Sequence, residues 1–244
     1  MSSTDAAVTT TLRIPGAWSQ PRELIERIPA GFRLTAETLV LPDGAEFELT
    51  AIPPDDQFAA IFQSSCRRPA TDEELAIVGR YTVNIALSGP GGSLDAARAV
   101  MQAGAAIVHA GGAGVFIDNS AMAHGGGAWI EMADDGSSDA LSFAFVSIIG
   151  GEREISTMGM HVLGFPDLVM RRADGDAETI VEVIRYVAAG EKPIGDGHLL
   201  ADDRGVARFR VAATPGDERM TPNAMKNPFG RLRLTSFKDV AESN

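Results

Sequence analysis

Residues 81–118 constrain the fold more than any other part of the chain. They read YTVNIALS, GPGGS, LDAARAVMQAGAAIVHAGG and AGVFID in succession. A β-prone run, a glycine-rich turn, an amphipathic stretch and a second β-prone run predict strand, turn, helix and strand. Ser93 supplies an N-cap, and Asp95 in the first turn complements the helix dipole. Leu94, Ala97, Val100, Met101, Ile107 and Val108 form one apolar stripe, and Gly111, Gly112 and Gly114 stop the helix. The chain is therefore committed to mixed α and β structure.

The flanking sequence adds shorter elements. Residues 11–15 alternate as a short strand, and Pro21 opens a helix with Leu24, Ile25 and Ile28 on its apolar face. Pro42-Asp43-Gly44 between two β-prone runs predicts a hairpin. Residues 58–62 suggest a short helix, and Thr71 with Glu74 forms a capping box ahead of another. Further on, 120–140 reads as loop on either side of a short apolar run, with a mobile polar excursion at DDGSSD. Residues 141–149 read as a buried strand, and 155–170 as a long strand broken at Gly164-Phe165-Pro166. Residues 178–189 read as a helix with Ile180, Val181, Ile184 and Val187 facing inward, and 206–213 as a strand.

From Tyr81 the order β-α-β-β-β-α-β favours two helices on one face of a mainly antiparallel sheet. The expected class is α+β, a ferredoxin-like or related two-layer sandwich, with two α/β units as the variant. A doubly wound parallel sheet would need more βα alternation. The expected division is a disordered tail at 1–10, an N-terminal α/β unit at 11–66 packed on the rest, and a main domain at 67–244. QSSCRRPA marks the seam.

Composition excludes several classes. The single cysteine, Cys66, rules out an intrachain disulfide and any site built from several thiolates. Arg67 and Arg68 beside it raise the question of a reactive thiolate, against a passive loop cysteine. Asp and Glu number 33 against 21 Lys and Arg, a formal net charge of −12. That balance opposes nucleic-acid binding and suits a protein partner with a basic surface. The start of the chain lacks a signal-peptide pattern, and no run of about 20 apolar residues occurs. A cytoplasmic location without membrane contact is expected.

Candidate sites are few. Gly91, Gly92 and Ser93 open the main helix, where backbone amides would receive an anion. No Walker lysine follows, the dinucleotide fingerprint is absent, and Asp95 would repel a phosphate. A plain strand-to-helix turn is the alternative reading. Asp118, Asn119 and Ser120 lie at a strand end, a place where ligand contacts collect and where ordinary turns also occur. His124 precedes three glycines in the manner of an esterase oxyanion hole, but the G-x-S-x-G nucleophile turn is missing. His109, Asp118 and His124 match no metal-ligand spacing, and no metal or cofactor is expected. His161 reads as a satisfied core histidine, and Asp196-Gly197-His198 as a turn whose two polar side chains bond each other. The basic residues bunched from Arg204 to Lys238 serve either acidic partners within the chain or an acidic ligand.

STMGMHVLGFPDLVM at 156–170, the helix ETIVEVIRYVAAGEKPIGDGHLL and the late NPFGRLRLTSF carry a resemblance to an uncharacterised, mainly bacterial domain-of-unknown-function family. The matching positions are Thr157 and Gly159, then Gly164, Pro166, Asp167 and Leu168, then Asp196 and Gly197. The likeness covers about two thirds of the chain. It implies the strand-helix-strand core and no particular activity. The expected function is a non-catalytic cytoplasmic binding or protein-interaction domain with an acidic surface. The alternative is an enzyme for a small anionic metabolite held near Gly91–Ser93 and Asp118–Ser120, with His124 as acid or base.

Overall fold

The computed structural model describes residues 8–190, 193–202, 204–215 and 222–237. Its class is α+β, with two sheets. The first holds β1 (Thr9–Gly16), β2 (Arg33–Leu34), β3 (Thr38–Val40), β4 (Glu46–Ile52), β5 (Val83–Pro90), β6 (Gly114–Ile117) and β7 (Met122–Gly125). They run in the order β2-β3-β4-β5-β1-β6-β7, with antiparallel pairing throughout. The second holds β8 (Ser147–Gly150), β9 (Glu154–Met158), β10 (Asp167–Arg171), β11 (Leu199–Ala201), β12 (Ala207–Thr214) and β13 (Arg231–Ser236). Its order is β11-β12-β13-β10-β9-β8, and β10 with β13 is its parallel pair. The helices are α1 (Pro21–Arg27), α2 (Phe58–Ser65), α3 (Asp72–Val78), α4 (Leu94–His109), α5 (Gly126–Asp135), α6 (Ser138–Phe145) and α7 (Ala177–Ala188).

Local chemistry explains many of these elements. Pro21 starts α1, although Ile25 is 50% exposed and leaves the apolar face to Leu24 and Ile28. Gly44 adopts φ +92 in the turn joining β3 to β4. Thr71 and Glu74 close the capping box of α3, and Ser93 Oγ accepts from the Ala96 amide at the start of α4. The stripe of α4 is buried except for the half-buried Leu94, and Gly104 lets the helix approach Leu12 of β1 and Trp129 of α5. The Trp129 indole donates to Met101 O at 3.1 Å. One continuous core joins Leu12, Ile14 and Leu87 to Leu168, Met170, Val211 and Leu234 of the second sheet. A smaller cluster of Phe58, Phe62, Val78 and Tyr81 lies under α2 and α3.

Several expectations need correction. Residues 1–7 of the expected tail lie outside the described residues, but Thr9 and Thr10 belong to β1 and Thr10 is fully buried. β1 sits between β5 and β6, so strands from residues 11–66 share one sheet with β5, β6 and β7. Sheet membership instead changes between β7 and β8. The expected seam is stitched to β7, with Cys66 bridging Ala123 and the Arg67 amide donating to Ala123 O. Residues 120–140 hold β7 and α5 and run into α6, not a loop. DDGSSD is a junction between two helices, where Gly136 takes φ 59 and Ser137 caps α6. Residues 141–145 are helical because a short unbroken apolar run carries no period to tell helix from strand. The stretch 155–170 divides into β9, a 3-10 turn at Met160–Leu163 and β10. RLRLTS alternates in burial and forms the central strand β13.

Candidate functional site

Asn119 and the Gly91–Gly92 turn converge where the two sheets meet. Asn119 follows β6 and is the hub. Its Oδ1 accepts from the Thr11 amide at 3.0 Å, and its Nδ2 donates to Thr9 O and Ala224 O, each at 3.0 Å. His161 Nε2 lies 3.1 Å from the same Nδ2 and 3.0 Å from Ala224 O. One residue thereby binds β1, the 3-10 turn after β9 and the turn before β13.

The turn before α4 docks on the same region. Gly91 N donates to Val8 O at 2.8 Å, and Gly92 N to Val162 O at 3.0 Å. Gly92 has φ +87, and a Cβ on Gly164 would press on the Gly92 carbonyl. The amides of Gly91 and Gly92, and that of Ala96 under Ser93 Oγ, are thus bonded internally.

Asp167 completes the second-sheet side. Its Oδ1 accepts from Thr157 Oγ1 at 3.1 Å and from Met160 N at 3.3 Å, while Oδ2 accepts from Asn227 Nδ2 at 3.0 Å. Thr157 Oγ1 in turn accepts from Leu168 N. Burial pushes the Asp167 carboxyl up to about 6, against its hydrogen bonds and Arg231. Thr157, Gly159, Gly164, Asp167 and Leu168 form one connected joint.

The remaining candidates stand apart. Asp118 pairs with Arg13 at 2.7 Å. His124 on β7 is bonded through Nε2 to Ala144 O at 3.0 Å, with Trp129 and Phe143 against its ring. Burial pushes it down to about 4, opposed by the Ala144 carbonyl and assisted by Arg67 and Arg68. His109, Asp118 and His124 do not gather. Among the described residues no three of His, Cys, Asp and Glu are placed to hold a metal ion. The Cys66 thiol is pushed up by burial, which opposes thiolate formation. Asp196 Oδ1 accepts from Ala213 N, and Arg208 and Arg233 pair with Glu182 and Glu154 within the chain. Arg219 and Lys238 of the basic bunch lie outside the described residues.

Burial decides what this joint can do. Asn119 and Ser120 are each 1% exposed, His124 1% and His161 2%. Thr10 Oγ1, Ser120 Oγ and the Nδ1 atoms of both histidines have no protein partner. Sequence reasoning missed Thr10, hidden in the supposed tail, and Asn227, whose role depends on distant chain. An open feature lies elsewhere. A groove of about 360 Å³ is lined by Val183 and Tyr186 of α7, Leu200 of β11, Phe209 of β12 and the charged rim of Glu182, Asp202 and Arg208. β11 is an outer strand with Leu199 58% exposed, and Tyr186 is 45% exposed beside it.

His124 and Asp167 yield a prediction with opposite signs. His124 is held below its ordinary value of 6.5, so its contribution is intact above that pH and is lost as pH falls toward 4. Asp167 is held above its ordinary 3.8, so its contribution is intact below that pH and is lost as pH rises toward 6. Each is worth about 3 kcal/mol over its window, and between pH 4 and 6 they offset one another. Denaturant titrations at pH 6.5 and 4 will show His124→Gln losing about 3 kcal/mol less than wild type on acidification, and Asp167→Asn about 3 kcal/mol more. Equal acid losses in all three proteins would contradict the assignment.

Comparison with protein-family models, curated proteins and solved structures returned no significant match.

Proposed function

We propose that the chain is a non-catalytic cytoplasmic binding domain that docks a protein partner of basic surface in the groove between α7 and the β11–β12 hairpin. The observation carrying this reading is the division of labour between interior and surface. Asn119, Ser120, His124 and His161 are covered, and Asn119 is spent on joining the two sheets. The open groove instead presents Tyr186, with the exposed Leu199 beside it, over a buried floor of Val183, Leu200 and Phe209, and its rim carries Asp202 and the paired Glu182 and Arg208. An outer strand beside an apolar groove suits an added strand from a partner, and net charge −12 favours a cationic one. No helix among the described residues is long and apolar enough to cross a membrane. The anionic-metabolite reading has less support, because the Gly91 and Gly92 amides are engaged and Asp118 is paired with Arg13.

The test uses a synthetic β-prone peptide of alternating lysine and valine, followed by amide shifts. Shifts confined to residues 183–186 and 199–202 are expected, weakening with salt. Leu199→Lys, at an exposed position, should weaken binding about fivefold or more at unchanged fold, because it removes an apolar contact and sets a like charge against the peptide lysines. Shifts scattered over the surface, or identical affinity in the variant, would defeat the proposal.

A further inference from the structure

The groove between α7 and the β11–β12 hairpin already holds a cationic side chain of its own chain. Arg208 of β12 reaches Glu182 of α7, its Nη1 donating to Oε2 at 3.1 Å. The guanidinium carbon stands 5.5 Å from the centre of the Phe209 ring, within range of the attraction between a cation and an aromatic face. Glu182, Tyr186, Arg208 and Phe209 line one cavity of about 360 Å³.

The other rim carboxylate is differently employed. Asp202 Oδ1 accepts from the amides of Arg204 and Val206 and shapes the hairpin turn. Glu182 is therefore the rim carboxylate set to meet a cation between helix and hairpin. Its pair with Arg208 is easily exchanged. The two side chains are 56% and 45% exposed, and ion pairs in contact with water contribute little to stability. A guanidinium arriving on a partner replaces Arg208 like for like, taking the same carboxylate through the same forked donors and resting on the same ring. Arg208 opposes that arrival twice, by holding Glu182 and by repelling a like charge.

We infer that the groove contains a subsite for an arginine side chain of the partner, formed by Glu182 and the Phe209 ring and filled in the free protein by Arg208, which swings out when the partner binds. The subsite rests on the groove being the docking surface proposed above. It adds the residue type that the groove selects and an internal competitor that weakens binding.

Two peptides of equal length, alternating valine with arginine or with lysine, are titrated at matched ionic strength into the wild-type chain, Arg208→Ala and Arg210→Ala, with amide shifts as the readout. Arg210 is exposed on the same strand without lining the groove, so its removal controls for net charge. Arg208→Ala is expected to tighten binding of the arginine peptide about fivefold or more, and Arg210→Ala to leave it within about twofold of wild type. The lysine peptide should gain less from Arg208→Ala, because an ammonium lacks the planar fork. Adding Glu182→Gln to Arg208→Ala should cancel the gain, with every variant melting within about 2 °C of wild type. Affinity in Arg208→Ala no higher than in Arg210→Ala, an equal gain for both peptides, or a gain that survives Glu182→Gln would overturn the subsite and leave the groove standing. Absence of shifts at residues 183–186 and 199–202 with either peptide in every variant would overturn the groove reading, and the subsite with it.

Discussion

Gly159→Ala is expected to cost about 4 kcal/mol or more, lowering the melting temperature by roughly 10 °C in a chain of this size. Two independent penalties meet at this position. Gly159 has φ +100, where a side chain is strained by about 1–3 kcal/mol. A Cβ there would also collide with the carbonyl oxygen of Phe145, at the end of α6, and press on the Ser120 side chain. The obstacle is backbone, so it cannot swing aside as a long side chain would. Relief would require moving β9 away from α6 and from the end of β6, which opens the joint between the sheets. Circular dichroism melts of the purified variant check the expectation. A melting temperature within about 2 °C of wild type would show that the joint is slack and that the close approach has no energetic weight. Gly205→Ala is the control for backbone strain alone, since it has φ +77 with nothing within 4 Å of its Cβ. It should cost only the strain component.

The parts of this architecture that were legible in the sequence are those with local signals. Ser93 and the apolar stripe of α4, Pro42-Asp43-Gly44 and the Thr71–Glu74 box each declare themselves within a few residues. The α5–α6 pair did not, because Gly126 and Gly127 at the start of α5 weaken its helical signature and LSFAF has no period. The second sheet was hidden for another reason. Its strands β10 and β13 pair residues 64 positions apart, as Asp167 with Arg231, and nothing local encodes a pairing at that separation. β1 illustrates the same point from the other end of the chain, as a weakly alternating run that becomes a central strand once β5 and β6 flank it.

The candidate site was legible as residues and not as roles. Asn119, Ser120, His124 and His161 stand out as polar groups among apolar neighbours, and all four are indeed special in being buried. Whether such groups face a ligand or tie two layers together depends on which surface covers strand β6 at its end. That surface comes from residues 159–167 and 223–227, far along the chain. Burial then separates the readings, because a group 1% exposed with four polar neighbours is part of the frame. The arginine pair at 67 and 68 shows the converse. Its sequence context pointed to the thiol of Cys66, whereas the structure turns both guanidinium groups toward Phe143.

The most direct measurement of the central claim is the unfolding free energy of Asn119→Ala. Truncation leaves the Thr11 amide and the carbonyls of Thr9 and Ala224 without this partner and strips His161 of a neighbour, all in buried surroundings. A loss of about 3 kcal/mol or more is predicted, because several buried polar groups lose partners at once. Residues held in place for ligands behave in the opposite way, since their replacement tends to leave stability unchanged or to raise it. Stability equal to or above wild type would therefore contradict the account and return the joint between the sheets to the status of a ligand site.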